Sequence, residues 1–186
     1  MLAVIASLRM ALERRCLFLL AVFLPRLWRW WQWLIFTLPV PVTENLLAEL
    51  RRKSYYGLDV DFEFLGAKNA APYAEFLSRL RQRMNAEGFP VLAALAPKTA
   101  DTQPGTLYEG HDYAAIGRAV NSVLLMTYEW GYTYGPPMAV SPIKPVADVV
   151  DYALTRIPAE KILLGISNYG YDFTLPYTQG VSQAPS

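Results

Sequence analysis

At 186 residues the chain is long enough for one domain of ordinary size. It is 53% hydrophobic and 18% charged with a formal net charge of +1, a globular balance without the basic excess of a nucleic-acid-binding surface. A single cysteine excludes an intrachain disulfide and a cysteine-based metal site, and a single histidine argues against a serine-histidine-aspartate triad or a multi-histidine centre.

Residues 1–42 differ from the rest. They hold one acid, Glu13, and four of the five tryptophans. Arg9, Arg14 and Arg15 precede "CLFLLAVFL", in the manner of a secretory signal. That run is short of the roughly 20 apolar residues of a membrane span. Pro25, Arg26 and Arg29 interrupt it, and no small-residue cleavage site follows. The segment is expected to be signal- or anchor-like, with membrane association through residues 16–40, or to be foreign to the domain that occupies 43–186.

From there helix and strand alternate. "VTENLLAELRRKS" is a helix capped by Thr43, with Leu46, Leu47 and Leu50 on one face and basic residues in its last turn. A strand follows over about 56–64. In "APYAEFLSRLRQRMNAEG", Tyr73, Phe76, Leu77, Leu80 and Met84 form one stripe, and Gly88 ends the helix. "FPVLAALAP" is a buried strand, "HDYAAIGRAV" a short helix with Asp112 at its start, and "SVLLMTYEW" a second buried strand. After a Gly/Pro/Tyr-rich loop come the helix "PVADVVDYALTRI" and a fourth strand, "KILLGIS". This order implies an α/β fold with a parallel sheet covered by helices. No Gly-rich phosphate loop follows any strand, which weakens a nucleotide-binding reading. Glu63, Lys98, Tyr128, Glu129, Asn168 and Tyr169 fall at or beyond strand C-terminal ends, where a (β/α)8 barrel builds its site.

The first strand carries "YYGLDVDFEF". Asp59, Asp61 and Glu63 alternate with Leu58, Val60, Phe62 and Phe64, so the acids share one face and the apolar residues the other. At about 6.5 Å between successive acids, mutual repulsion raises the pKa of at least one, as a general acid requires. A solvated edge-strand face and a Mg- or Ca-type site are the alternatives. Asp and Glu are poor strand formers, which favours a functional role.

"YYGLDVDFE" resembles the DxxDxDxE signature of glycoside hydrolase family 18, the chitinase-like barrels, with Asp59, Asp61 and Glu63 on its last three acids. "LLMTYEWGYTYGPPMAVSPI" resembles that family's Met-x-Tyr-Asp strand, with Met126, Tyr128 and Glu129 in the matching places. Together with "GISNYGYDFTLPY", the likeness points to the spore-germination branch, peptidoglycan N-acetylglucosaminidases acting on spore cortex. It implies a partial (β/α)8 TIM barrel, roughly strands four to seven with their helices. It also implies substrate-assisted retaining catalysis. Glu63 is then acid and base, Asp61 holds the acetamido group, Asp59 backs Asp61, and Tyr128 orients the acetamido oxygen. Glu129, Met126, Trp130, Tyr169 and Asn168 are expected to contact substrate. No metal or organic cofactor is implied. The partner is a polysaccharide, peptidoglycan or chitin-type, and the setting is extracellular, at the cell wall or spore cortex. Tyr56 stands where the signature has its first Asp, and Glu129 replaces the Asp after the motif Tyr. With the first three strands and the eighth unaccounted for, the chain alone is expected to be inactive or very weak.

Tyr132, Tyr134, Tyr169 and Tyr171 are candidates for stacking on sugars. Trp130 is expected to line the cleft or pack under its loop. Lys98 reads as a surface lysine and His111 as a helix-capping or helix-decorating residue. A catalytically silent carbohydrate-binding protein and a membrane-anchored structural protein are the competing functions.

Overall fold

The computed structural model describes residues 6–7 and 39–185, with side chains from residue 42 onward. The expectations for residues 8–38, including most of the signal- or anchor-like segment, therefore lie outside the described residues.

The elements run in the order β1 (Ala6–Ser7), α1 (Pro39–Lys53), β2 (Leu58–Val60), α2 (Ala70–Asn85), β3 (Val91–Leu95), α3 (Thr106–Glu109), α4 (Tyr113–Ala119), β4 (Ser122–Leu125), α5 (Ile143–Leu154) and β5 (Ile162–Leu164). The five strands form one parallel sheet in sequential order. Four strands were expected from sequence. The fifth is the two-residue β1, which pairs Ala6 with Leu58 and Ser7 with Asp59. It occupies the side of β2 where a preceding barrel strand would stand. Parallel strands in sequential order, joined by helices, are the connectivity of a (β/α)8 barrel, of which this sheet is a part.

The core forms where the sequence pattern placed it. All five residues of β3 are buried, as a central parallel strand requires. The stripe Tyr73, Phe76, Leu77, Leu80 and Met84 of α2 is buried against the sheet and α4. Each such side chain contributes about 1.5–3 kcal/mol when fully buried. Helix α2 ends as expected: Gly88 takes φ 81, a region costly for other residues, and Phe89 N–H returns to the Met84 carbonyl at 3.1 Å. On α5 the apolar face holds, with Val149 and Ala153 buried. Asp112 caps α4 by accepting the Ala115 N–H at 2.9 Å.

Three local expectations are corrected. Helix α1 starts at Pro39, so Thr43 is a buried residue inside it and not its cap. A proline is well tolerated in a first turn, where its missing N–H has no partner to lose. The strand expected over 56–64 is regular only at Leu58–Val60. Phe64 does not share the core face, because its backbone turns to φ 54 and its side chain is 56% exposed. Leu65 takes the buried position next to it.

Candidate active site

Two strand ends build the site. Asp59 is the middle residue of β2, and Asp61 and Glu63 follow it in the chain beyond the regular strand. Asp59 is half-buried, and its Oδ1 is buried without a hydrogen-bond partner among the described residues. Burial first, and then the Asp61 carboxylate, push its titration up to about 6. The coupling expected among the acids thus acts on Asp59, through the Asp61 carboxylate. Asp61 is exposed and Glu63 half-buried.

Tyr128 comes from the chain just beyond β4. Its phenol is pushed upward by burial and then by Asp61, Glu63, Asp59 and Glu129, in that order. The hydroxyl thus stands in the joint field of Asp59, Asp61, Glu63 and Glu129. Met126 is buried beside Ala94 and Ala96, and Tyr128 packs on this small cluster. Gly165, just after β5, closes the other side of the ring. A Cβ at Gly165 would lie 2.5 Å from Tyr128 Cε1 and 2.8 Å from the Leu125 carbonyl oxygen. The Gly165 N–H donates to that same carbonyl at 2.9 Å, and Thr127 Oγ1 donates to the Gly165 carbonyl at 3.0 Å. Sequence inspection missed Gly165. Its only signal was a lone glycine closing an apolar strand, which marks a close approach.

Glu129 sits at φ 65, an uncommon backbone region for a residue with a side chain. Its carboxylate accepts hydrogen bonds from the Tyr169 hydroxyl and from the Tyr171 hydroxyl at 2.9 and 3.1 Å. The two tyrosine rings meet edge to face at 6.0 Å. Burial and the Glu129 carboxylate both hold the Tyr169 hydroxyl above its usual range. For Tyr171 the Glu129 hydrogen bond is the largest cause. Glu129 and Tyr169 are therefore joined, with Tyr171 as the unexpected third member. Trp130 is half-buried, packs on the main core, and donates its backbone N–H to Val140 at 3.1 Å. Asn168 is exposed, as are Tyr132 and Tyr134, whose rings contact edge to face at 6.3 Å. Tyr56, at the signature's departure, is 61% exposed.

Lys98 is not a surface lysine. It is buried, and its Nζ donates to the Asp101 carbonyl at 3.2 Å and the His111 carbonyl at 3.0 Å, so it ties the loop after β3 to the start of α4. His111 is likewise not surface decoration but wholly buried between β2 and β3. Among the described residues no group of three or more His, Cys, Asp or Glu side chains is placed to hold a metal ion.

The model of the family described as Glycosyl hydrolases family 18 matches residues 41–183. The cortical fragment-lytic enzyme of Bacillus subtilis is 50% identical over 147 residues, 77% of this chain and 34% of that protein. The crystal structure of the spore cortex-lytic enzyme SleL of Bacillus megaterium superposes with a TM-score of 0.72 at 44% identity, covering 77% of this chain and 32% of the other. A chitinase from Chromobacterium violaceum gives a TM-score of 0.69 at 27% identity, with 74% and 44% covered. The chain spans about a third of the length of the curated relatives it matches. Matched over most of its length by the family model, this chain belongs to glycosyl hydrolase family 18.

Proposed function

We propose that this chain carries the acid-bearing strands of a glycosidase that cleaves β-1,4-linked N-acetylglucosamine, with spore-cortex peptidoglycan as substrate and a chitin-type polymer as the variant. The observation that carries this is the Tyr128 hydroxyl lying in the field of Asp61, Glu63 and Asp59. In the first step Glu63 gives its proton to the glycosidic oxygen as the bond from that oxygen to the anomeric carbon breaks. The substrate's own acetamido oxygen bonds to the anomeric carbon and forms an oxazolinium ion, a route distinct from the usual paired-carboxylate scheme. Asp61 accepts the acetamido N–H and stabilises the positive charge. Asp59 keeps a proton up to about pH 6, which supports its place behind Asp61 as a partner sharing that proton. Tyr128 donates to the acetamido oxygen and aligns it for attack. Water then adds to the anomeric carbon, its proton passes to Glu63, and the ring reopens with configuration retained. Glu129 with Tyr169, together with Asn168, Met126 and Trp130, forms the surrounding wall.

The relatives act at the spore cortex by their names, so the proposed setting is the cell wall or spore cortex. Among the described residues no helix is long and apolar enough to cross a membrane; residues 16–38, through which membrane association was expected, lie outside them. A second reading, binding without turnover, is favoured by one observation: the far edge of the sheet leaves Leu163 and Leu164 44% and 45% exposed, so the acid-bearing face is open on that side.

Incubation of the purified chain with spore-cortex fragments and with chitin oligomers, followed by mass spectrometry, tests both. Slow release of N-acetylglucosamine-terminated products is expected, with a loss of about 100-fold or more in Glu63→Gln, the range for a general acid. Equal release by the two proteins would refute the role of Glu63. Retention of the oligomers with no products from either protein would establish the second reading.

A further inference from the structure

The registers of β2 and β3 show what His111 does. Leu58 lies opposite Val91 and Val60 opposite Ala93. Continued at the same offset, the parallel ladder would next join the Ala96 N–H to the Phe62 carbonyl. That bond is replaced. The Ala96 N–H donates to His111 Nδ1 at 2.8 Å, and His111 Nε2 lies 2.8 Å from the Phe62 carbonyl oxygen. An imidazole therefore takes the place of one rung, and its width separates β2 from β3 where Asp61 and Glu63 flank Phe62.

The geometry admits one form of the ring. Nδ1 accepts, so Nε2 carries the proton and the ring is neutral. A protonated ring would set a second donor against the Ala96 N–H. Few groups face the imidazole. Tyr73 of α2 stacks on it at 6.0 Å, and Lys98 donates to its backbone carbonyl. Tyr113 of α4 gives its hydroxyl proton to the Ala96 carbonyl at 2.6 Å and accepts the Lys98 N–H at 3.0 Å. Asp59 and Asp61 act on the Tyr73 hydroxyl, and Asp112 is engaged in capping α4. Burial, and then the Lys98 charge, disfavour the protonated ring more than the Phe62 carbonyl favours it.

We propose that His111 is a positioning residue: as an imidazole rung between Phe62 and Ala96 it fixes the spacing of β2 and β3 and thereby the placement of Asp61 and Glu63. The consequence for turnover rests on the glycosidase reading; the placement of the carboxylates does not.

His111 is the only histidine, so isotope-labelled histidine gives one imidazole signal in the full chain. Nitrogen NMR is expected to show a proton on Nε2 and none on Nδ1, with titration below that of free histidine. Carboxyl-carbon NMR is expected to show the Asp61 and Glu63 titrations moved by at least about half a unit in His111→Ala, as changed carboxylate spacing requires. In His111→Gln, which keeps a donor for the Phe62 carbonyl, they move less. A proton on Nδ1 would overturn the proposal, as would wild-type Asp61 and Glu63 titrations in a folded His111→Ala protein. If that variant does not fold, the imidazole protonation in the wild type and the His111→Gln titrations decide. In a protein that turns over, kcat falls more than KM rises. If no protein turns over substrate the glycosidase reading fails, and the NMR results still stand or fall alone.

Discussion

Asp59 sits in an environment unlike that of an ordinary carboxylate. It keeps its proton to about pH 6 in the folded chain against a usual 3.8. Between those values the folded state binds more protons than the unfolded one, so stability falls as pH rises from about 4 to about 6 and stays lowered above. The gap of about two pH units, at about 1.4 kcal/mol each, sets an upper limit of roughly 3 kcal/mol. Asp59→Asn is therefore expected to match the wild type in thermal melting near pH 4 and to exceed it at pH 7. A variant less stable than the wild type at pH 7 would show that the ionised carboxylate is favoured by the fold. The penalty is consistent with a functional acid: a group retained for chemistry sits where packing alone would not put a charge.

Among the elements, β4 and β5 meet through Gly165. Its N–H completes the ladder to Leu125, and its missing side chain is the space that Tyr128 fills. The Leu125 carbonyl is backbone in the middle of the sheet and cannot move aside, so in Gly165→Ala the tyrosine ring has to turn away. A loss of about 1–3 kcal/mol is expected, typical of overpacking. Near-UV circular dichroism should report a changed tyrosine environment, and any turnover should fall along with that of Tyr128→Phe. An unchanged melting temperature together with an unchanged near-UV spectrum would show that the ring does not rest on Gly165. Backbone geometry marks the same region from a second direction. Phe64 and Glu129, both at positive φ, follow β2 and β4 on the side where the acids and Tyr128 meet.

For the whole molecule the sheet edge is decisive. Among the described residues β5 pairs only with β4; its own Leu163 and Leu164 are exposed, as is Ile166 just beyond it, at 87%. An apolar edge with unpaired backbone groups is a template for association. The isolated chain is expected to self-associate as its concentration rises, and a double change Leu164→Lys and Ile166→Lys is expected to reduce this in sedimentation velocity. A wild-type chain that stays monomeric at every concentration would contradict it. The ion pairs of Arg83 on α2 with Glu44 on α1 at 2.7 Å, and of Arg51 on α1 with Glu87 in the turn after α2, are exposed and contribute little against such an edge.

Sequence alone determined the order of the four longer strands, the buried stripe of α2, the buried run of β3, and the alternate spacing of Asp59, Asp61 and Glu63. Each is a local pattern: period two puts the acids on one face, and helical spacing puts Tyr73, Phe76 and Leu77 on another. Where the regular strand ends the pattern stops being informative, which is why Phe64 was misplaced. Only the tertiary structure decided that Asp59 bears the raised titration, because burial depends on what covers the strand. It alone brought Tyr169 and Tyr171 onto Glu129, across some forty residues of chain. It alone showed that Lys98, expected at the surface, and His111, expected to cap or decorate a helix, are buried. A lone lysine or histidine carries no periodic signal, and its backbone partners, the carbonyls of Asp101, His111 and Phe62 and the N–H of Ala96, become visible only when the strands are laid side by side.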